Sequence, residues 1–199
     1  MQKSKNLLIL GAGQYGQIAK EIAESMGCFE KISFLDDCYG DTVKKTKKNG
    51  LIVGKLSDYG KLVAEYPYVV VAIGCSDLRL DYIRKLQGEC FHVVTLISPK
   101  AYVSPSAQIM CGSIVEPLAV INASARVAMG VYVCAGAIVN HNSFVGDGCT
   151  LQCGSIVPAN ALVLAKTTLG YNEVYTEQFE APIEKQMPVG NYNKFEDGM

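Results

Sequence analysis

Several signals that mark large classes of protein are missing from this sequence of 199 residues. The formal net charge is −1 with acidic and basic residues well mixed, so there is no basic stripe for nucleic acid and no polybasic membrane patch. No apolar run approaches the roughly 20 residues that span a membrane. The polar opening Met1–Asn6 leads into a predicted strand rather than into the apolar core of a signal peptide. We therefore expect a cytoplasmic protein without a nucleic-acid partner or a membrane span.

The sequence also lacks the spacing that metal-binding cysteines share. It contains eight cysteines, but no two of them form a CxxC pair, and only two histidines could assist them. Four of the cysteines fall at or beside positions where small residues recur in the second half of the chain. A reduced thiol serves at such a position as a small buried hydrophobe. We therefore predict reduced, structural cysteines and no metal site.

The second half of the chain contains a repeat of six residues. An aliphatic residue stands at every sixth position, and a small residue precedes each by two positions, with Val131 as the exception. A helix repeats near 3.6 residues and a strand near 2, so a period of six requires a solenoid whose short strands turn a corner each time. Three hexads form one triangular coil of roughly 18 residues, which gives about four coils of parallel β-helix. The aliphatic series is Val103, Ile109, Val115, Ile121, Val127, Val133, Val139, Val145, Leu151, Val157, Val163 and Leu169.

The first hundred residues follow a different pattern, in which short apolar strands alternate with amphipathic helices. In chain order the predicted elements are a strand at 7–10, a helix at 17–26, strands at 31–35 and 68–73, a helix at 78–86 and a strand at 91–97. This alternation predicts a small open parallel sheet of the α/β class.

A GxGxxG pattern joins the first predicted strand to the first predicted helix. Such a loop brings backbone N–H groups and a helix N-terminus close to phosphate, and an acidic residue after the next strand can accept hydrogen bonds from a ribose or base. The domain is about half the size of a full dinucleotide-binding fold, which favours a mononucleotide ligand over NAD. Alternatively, the glycines only form a tight turn that lets helix and sheet pack closely. The candidate ligand-binding residues are Gly11, Gly13, Gln14, Tyr15, Gly16, Asp36, Asp37, Gly74 and Ser76.

The two halves together resemble the sugar O- and N-acyltransferases of the sialic-acid O-acetyltransferase and bacillosamine N-acetyltransferase type. The resemblance covers about residues 5–165 and is carried by the glycine motif, Asp36 and Asp37, the Ala-Ile-Gly strand end at 72–74 and the hexads. It implies a Rossmann-like α/β domain that binds a nucleotide-sugar, followed by a left-handed parallel β-helix along which acetyl-CoA lies. It also implies a homotrimer with the active site between neighbouring subunits. We predict these domains at 1–98 and 99–170, with a capping tail at 171–199.

Only two residues of the sequence, His92 and His141, could serve as a neutral-pH base. His92 falls within the last predicted strand of the first domain, whereas His141 stands two residues after the inward Val139 and therefore near a coil corner. There it could take a proton from a sugar amine or hydroxyl that attacks the acetyl thioester. The histidine of the corresponding segment has this role in the family that the chain resembles. The alternative is a corner histidine that is merely hydrogen-bonded at a trimer interface.

The resemblance assigns further residues to this site, with departures from the family pattern. Asn142 follows the histidine where the family commonly has Asp or Glu, and an amide can orient the ring but cannot stabilise an imidazolium with a full charge. A second histidine of the bacillosamine enzymes is replaced by Thr150, and an asparagine of the family by Cys134. Ala159, one coil beyond His141, can still present its backbone N–H to the thioester carbonyl.

After Leu169 the hexads are expected to stop, and the tail either caps the solenoid or folds over the CoA groove. In the second arrangement Lys166 and Lys185 would be available for the CoA phosphates. The predicted function is direct transfer of an acetyl group from acetyl-CoA to an amine or hydroxyl of a nucleotide-linked sugar. Two alternatives remain open: a small acceptor that is not a sugar, and a nucleotide-sugar-binding trimer with weakened catalysis.

Overall fold

The computed structural model describes residues 5–38 and 51–176 of the chain. The chain divides into two compact units, with the boundary between Leu96 and Ile97. The first unit contains an open parallel sheet, and the second contains a solenoid of two-residue parallel strands. The predicted fold class, a Rossmann-like α/β domain followed by a left-handed parallel β-helix, is confirmed.

In its described residues, 5–38 and 51–96, the first unit contains five parallel strands and two α-helices. They are β1 (Asn6–Leu10), α1 (Gln14–Met26), β2 (Lys31–Leu35), β3 (Leu51–Gly54), β4 (Tyr68–Val71), α2 (Ser76–Gln87) and β5 (His92–Val93), with a 3-10 helix at Leu56–Lys61. The strand order is β3-β2-β1-β4-β5, so the winding reverses between β1 and β4. Loops that follow the two strands at such a switch point separate and open a crevice at the carboxyl end of the sheet.

The apolar patterns of the sequence account for the core of this unit. Residues Leu7–Leu10 of the central strand β1 are fully buried, as expected for a parallel strand covered on both faces. Helix α1 buries Gly16, Ala19, Ile22 and Ala23, which fall on one face because they are spaced by three or four residues. The helix ends at Gly27, which adopts a left-handed conformation with φ of 67°.

Some element boundaries differ from the sequence-based prediction. Helix α1 begins at Gln14 rather than at residue 17, because the glycine loop already supplies its N-cap residue, Gly13. The predicted strand at 91–97 is divided into two, since β5 pairs with β4 whereas Leu96–Ile97 pairs with a strand of the solenoid. Strand β3 was not predicted, and it is a short edge strand in which only Gly54 is buried.

The second unit, as far as residue 176, stacks thirteen strands, each formed by one outward residue followed by one inward aliphatic residue. The strands are β6 (Leu96–Ile97), β7 (Tyr102–Val103), β8 (Gln108–Ile109), β9 (Ile114–Val115), β10 (Val120–Ile121), β11 (Arg126–Val127), β12 (Tyr132–Val133), β13 (Ile138–Val139), β14 (Phe144–Val145), β15 (Thr150–Leu151), β16 (Ile156–Val157), β17 (Leu162–Val163) and β18 (Thr168–Leu169). They form three sheets: face 1 is β7-β10-β13-β16, face 2 is β8-β11-β14-β17 and face 3 is β6-β9-β12-β15-β18. Most of the inward aliphatic residues have no exposed surface, and they form the core of the coil.

Each hexad turns its corner with a four-residue β-turn. In the turn at 140–143, for example, the N–H of Ser143 donates to the carbonyl oxygen of Asn140 over 3.3 Å. From residue 112 onward the third residue of every turn has a positive φ, a register that the sequence analysis missed. Left-handed backbone favours Gly and Asn, yet other residues also stand there. The series is Gly112, Leu118, Ser124, Gly130, Gly136, Asn142, Gly148, Gly154, Asn160, Lys166 and Asn172.

The hexad register extends one repeat beyond Leu169, contrary to the prediction that it stops there. Val174 forms an isolated parallel bridge with Ile156, and Tyr175 occupies the next inward position, where it is 6% exposed. The Tyr175 hydroxyl donates to the carbonyl oxygen of Leu162 over 2.8 Å. An aromatic residue in place of an aliphatic one concealed this repeat in the sequence.

Within the described residues, no helix is long and apolar enough to cross a membrane. In the same part of the chain, no group of three or more His, Cys, Asp or Glu side chains could hold a metal ion. All eight cysteines are free thiols, and Cys134 and Cys149 are buried inside the solenoid.

The left-handed turn residues provide a test of what limits the stability of the solenoid. A Cβ on Gly136 would meet no atom closer than Gly154 N at 4.0 Å, so Gly136→Ala adds backbone strain without a clash. We expect it to lower the free energy of unfolding by about 1 kcal/mol. Conversely, Leu118→Gly at the same corner of the preceding coil should raise it by a similar amount, because Leu118 is 71% exposed and has little packing to lose. Urea unfolding of both variants measures the effect, and equal stabilities would contradict this account.

Candidate active site

The glycine loop between β1 and α1 contains two glycines at positions where the backbone packing leaves no room for a side chain. Gly11 has a φ of 100°, and a Cβ there would lie 2.7 Å from the carbonyl oxygen of Ala72. A Cβ on Gly16 would lie 2.1 Å from the carbonyl oxygen of Gly11. Close helix–sheet packing therefore explains these two positions. Gly13 is different, since it has an ordinary φ of −72° and no atom lies within 4 Å of a Cβ built on it.

Two helix N-termini follow the adjacent strands β1 and β4. Helix α1 begins after Gly13 and helix α2 after Cys75, and neither N-cap residue makes a side-chain capping hydrogen bond. The N-terminal N–H groups of a helix carry partial positive charge and favour an anion. Both helices therefore begin at the switch point of the sheet, where a phosphorylated ligand is expected to bind.

Asp36, at the end of β2, is bound to the glycine loop. Its Oδ2 accepts a hydrogen bond from the N–H of Ala12 over 2.8 Å, and its Oδ1 accepts one from the N–H of Cys38 over 2.9 Å. Burial by itself would raise the pKa of Asp36, but the hydrogen bonds from Ala12 and Cys38 outweigh it and hold the pKa below its ordinary value. Asp36 thus fixes the loop, whereas the neighbouring Asp37 is exposed and, among the described residues, accepts only the N–H of Leu56, over 3.1 Å.

The loop after β4 is held by Arg79, a residue that the sequence analysis did not single out. Arg79 has no exposed surface, and its guanidinium donates to the carbonyl oxygens of Ile73 over 2.8 Å and Gly74 over 3.1 Å. It also donates to the hydroxyl of Ser76 over 3.3 Å. The ring of Tyr15 lies against Gly74, and a Cβ built on Gly74 would be 3.3 Å from that ring. In the sequence, only its helical spacing of four and seven residues from Ile83 and Leu86 separates this buried arginine from an exposed one such as Arg84.

His141 lies at the corner between faces 1 and 2, as the second residue of a β-turn. Its side chain is exposed, and its Nδ1 lies 3.3 Å from Nδ2 of Asn142, the left-handed third residue of the turn. The carbonyl oxygen of His141 accepts the N–H of Asn160 from the next coil over 3.1 Å. His141 and Ala159 therefore stand at equivalent turn positions of adjacent coils.

The N–H of the second turn residue lies outside the coil-to-coil hydrogen bonds, which is why Pro99, Pro105 and Pro117 can occupy this position. Where the residue is not proline, a side chain can accept the N–H. Asp147 accepts the N–H of Met129 over 3.0 Å, and Glu116 accepts the N–H of Ala135 over 3.0 Å. No acceptor among the described residues takes the N–H of Ala159. The corner thus holds an available N–H donor one coil from the imidazole.

The remaining predicted residues lie elsewhere. Lys166 is exposed at the corner between faces 2 and 3, one corner away from Ala159, and Lys185 lies outside the described residues. Thr150 is buried on face 3. Cys134 is buried beside Glu116, whose pKa is raised because burial outweighs the hydrogen bonds from Ala135 and Cys134. These two substitutions of the family pattern are therefore buried rather than presented at the His141 corner.

Comparison with known proteins finds similar proteins for both units. Residues 6–86 match the PglD N-terminal domain family. The acetyltransferase domain of PglB from Neisseria gonorrhoeae FA1090 superimposes with a TM-score of 0.69 at 24% identity, covering 87% of this chain and 92% of that one. The same domain in complex with acetyl coenzyme A gives a TM-score of 0.59 at 23% identity, covering 85% and 98%. PerB from Caulobacter crescentus, in complex with CoA and GDP-perosamine, gives 0.60 at 21% identity, covering 86% and 91%.

The chain shares the fold of the hexapeptide-repeat sugar acetyltransferases. The resemblance inferred from the glycine motif and the hexads is thereby confirmed, in the first unit by the family match and over both units by the superpositions. At these identities the solved structures establish the fold of this chain, and the roles of His141 and its neighbours stay predictions.

The hydrogen bonds of Asp36 give a prediction about stability. Because its pKa is lowered in the folded state, the carboxylate stabilises the protein fully above its unfolded pKa of about 3.9 and loses that effect as the pH falls through the folded value. We expect Asp36→Asn to cost about 1 kcal/mol near neutral pH, a modest figure because the carboxylate is partly exposed. The difference from wild type should shrink at about pH 3.

Urea unfolding at the two pH values measures this difference, with Asp37→Asn as the control. Asp37 accepts one backbone N–H where Asp36 accepts two, so its variant should lose less. A loss for Asp36→Asn that is the same at both pH values would argue against the charge-assisted bonds.

Proposed function

We propose that this protein is an acetyltransferase that transfers an acetyl group from acetyl-CoA to an amine or hydroxyl of a nucleotide-linked sugar. The observation that carries the proposal is the exposed imidazole of His141 beside the available N–H of Ala159, at equivalent turn positions of adjacent coils. A base and an oxyanion donor are the two groups that direct acyl transfer from a thioester requires. The fold shared with proteins solved with acetyl coenzyme A, or with CoA and GDP-perosamine, supports the choice of substrates.

In the proposed mechanism His141 removes the proton of the attacking group with Nε2. This requires the proton of the neutral ring to be on Nδ1, so Asn142 must present its amide oxygen to that N–H. The two side chains are already in contact at 3.3 Å, and a half-turn of the amide gives this arrangement. The Ala159 N–H would then stabilise the oxyanion of the tetrahedral intermediate. None of the buried thiols is needed as an acyl carrier.

The first unit would bind the nucleotide-sugar at the switch point of its sheet. The N-termini of α1 and α2, which have no side-chain cap, suit the diphosphate, and the exposed Asp37 is available to a ribose or base.

The other predicted residues of this site lie on the same two helices. Gln14 and Tyr15 lie in the first turn of α1, whereas Gly74 and Ser76 lie at the start of α2, where Arg79 donates hydrogen bonds to both. Asp36 would act by shaping the loop, because both of its oxygens accept backbone N–H groups. For CoA we assign Ala159 and Lys166.

We also propose that the protein forms a homotrimer through face 1 of the solenoid. The outward residues of this face form one apolar row. The residues at its two ends are well exposed, Tyr102 at 57% and Val174 at 48%. A continuous apolar row of this kind favours coverage by another protein surface. The row borders the His141 corner, so a neighbouring subunit would help to enclose the site. The row consists of Tyr102, Val120, Ile138, Ile156 and Val174. The cytoplasm remains the expected location.

The proposed activity is tested by CoA release from acetyl-CoA over a panel of UDP- and GDP-linked amino sugars and free or CMP-linked sialic acids. We expect turnover with one sugar class and a fall of at least about 100-fold for His141→Ala, because general-base catalysis contributes about 10²–10⁴-fold. Asn142→Asp is the matched variant. It should raise the rate and shift the acidic limb of the pH profile upward, because a carboxylate stabilises the imidazolium.

The outcomes of the panel separate the alternatives. Release that does not depend on the imidazole would exclude His141 as the base. Turnover only with small amines or amino acids would replace the sugar by another acceptor. Tight binding of a nucleotide-sugar without any turnover would identify a binding trimer.

The role of the glycine loop is tested by Gly13→Ala. The added methyl group meets no protein atom within 4 Å and the backbone φ suits alanine, so the loss of stability should be limited to the weaker capping by alanine, about 1 kcal/mol or less. A ligand phosphate that approaches the loop would meet the methyl group, and we expect the KM for the nucleotide-sugar to rise by about tenfold or more with the KM for acetyl-CoA unchanged. Steady-state kinetics and a thermal melt measure both. An unchanged nucleotide-sugar KM would mean that the motif serves helix packing alone.

A further inference from the structure

Two asparagines are stacked at the His141 corner. Nδ2 of Asn122 donates to Oδ1 of Asn140 from the next coil over 3.1 Å. Asn140 is the first residue of the turn that carries His141, and it is held there by its backbone N–H, which donates to the carbonyl oxygen of Val157 over 3.0 Å. The hydroxyl of Ser143 donates to the Asn140 carbonyl oxygen. The residue is therefore fixed at both ends, in its main chain by the turn and in its side chain by Asn122.

The position of Asn140 relates it directly to the Ala159 N–H. At the neighbouring corner between faces 3 and 1, Glu116 is likewise the first residue of its turn. Its side chain reaches the N–H of Ala135, nineteen residues further along. Ala159 stands nineteen residues beyond Asn140. The same spacing of nineteen residues leads us to expect the Asn140 side chain on the side of its turn that faces the Ala159 N–H, as Glu116 faces that of Ala135.

The two corners differ in the chemistry of this side chain. Glu116 presents a carboxylate oxygen that accepts the N–H of Ala135, so this N–H is not available to a ligand. At the His141 corner the acceptor of the amide, Oδ1, is occupied by Asn122, and the amide donor faces no acceptor among the described residues. Two N–H donors without an acceptor among the described residues thus belong to this corner, the main-chain donor of Ala159 and the side-chain donor of Asn140.

We infer that Asn140 is a second oxyanion donor of the acetyl-transfer site, and that Asn122 is a positioning residue that orients its amide. The inference rests on the proposed function and concerns the same site. It assigns to Asn140 a hydrogen bond from Nδ2 to the thioester carbonyl oxygen, beside the one from Ala159. Two donors converging on the position where charge develops form the usual oxyanion hole of acyl transfer.

The step balances without any further reactant. The lone pair of the attacking nitrogen or oxygen forms a bond to the acetyl carbon, and the carbonyl π electrons move to the oxygen, which accepts hydrogen bonds from Ala159 and Asn140. His141 takes the proton of the attacking group. When the intermediate collapses the carbon–sulfur bond breaks, and His141 returns the proton to the sulfur, so that CoA leaves as a thiol.

Asn140→Asp is the decisive variant because it is isosteric and keeps an acceptor for Asn122. It removes the donor and places a negative charge beside the oxyanion, so kcat should fall about 100-fold while both KM values and the melting temperature change little. Asn122→Asp tests the orientation from one coil away. Its carboxylate accepts rather than donates, so the Asn140 amide turns to donate to it and presents Oδ1 to the oxyanion, and kcat should again fall at least tenfold.

Ala159→Pro removes the first donor, and proline fits this turn position as Pro117 does at the corner between faces 3 and 1. Combined with Asn140→Asp, it should lower kcat by less than the product of the two single effects, because both donors act on one atom. Cys153→Pro, at the second turn position of that same corner, is the control and should leave kcat unchanged.

The results separate this inference from the function on which it rests. If His141→Ala abolishes turnover but Asn140→Asp keeps kcat within about twofold, the acetyltransferase stands and Asn140 has no role in the oxyanion site. A loss that appears as a lower melting temperature or a higher KM, with kcat unchanged, would make the asparagine pair purely structural and also overturn the inference. If the wild type shows no turnover with any acceptor, both the proposed acetyltransferase function and the inference about Asn140 are wrong.

Discussion

The β-turn that closes every hexad is the constraint on which the second unit depends. Each turn brings the chain round one corner, so that the next aliphatic residue points inward again, and from residue 112 onward its third residue adopts a left-handed backbone. The inward residues then stack over their partners in the coils before and after, as Ile121 does on Val103 and Val139. Burial of these side chains supplies the stability, but the turn determines which side chains are buried.

The candidate site uses the same turn for a second purpose. The first turn residue directs its side chain along the corner, the second exposes a side chain and an N–H, and the third completes the reversal. Asn140, His141 and Asn142 fill these positions in one coil, and Ala159 fills the second position in the next. The proposed base, its partner and the proposed oxyanion donors consequently belong to backbone turns that the whole solenoid maintains, rather than to a specialised loop.

The sequence was sufficient to predict the fold because its two signals are periodic. The hexads and the alternation of strands with helices both follow from burial, which acts on every repeat. Three features escaped because each depends on tertiary context. The aromatic Tyr175 broke the aliphatic pattern, Arg79 is buried although arginine is usually a surface residue, and the left-handed register mixes Gly and Asn with Leu118, Ser124 and Lys166. For the site, His141 and, through the family resemblance, Ala159 stay predictions of the sequence, whereas the acceptor of each corner N–H could be recognised only once the coils were stacked.

The tolerance of the second turn position for proline has a consequence for how such proteins change over time. A corner with proline offers no donor, a corner opposite a carboxylate has its donor occupied, and a corner such as that of Ala159 has one available. A single substitution converts one state into another without altering the core. Reactive centres can therefore be gained, lost or moved along the solenoid during evolution in steps of one coil, while the scaffold is inherited unchanged.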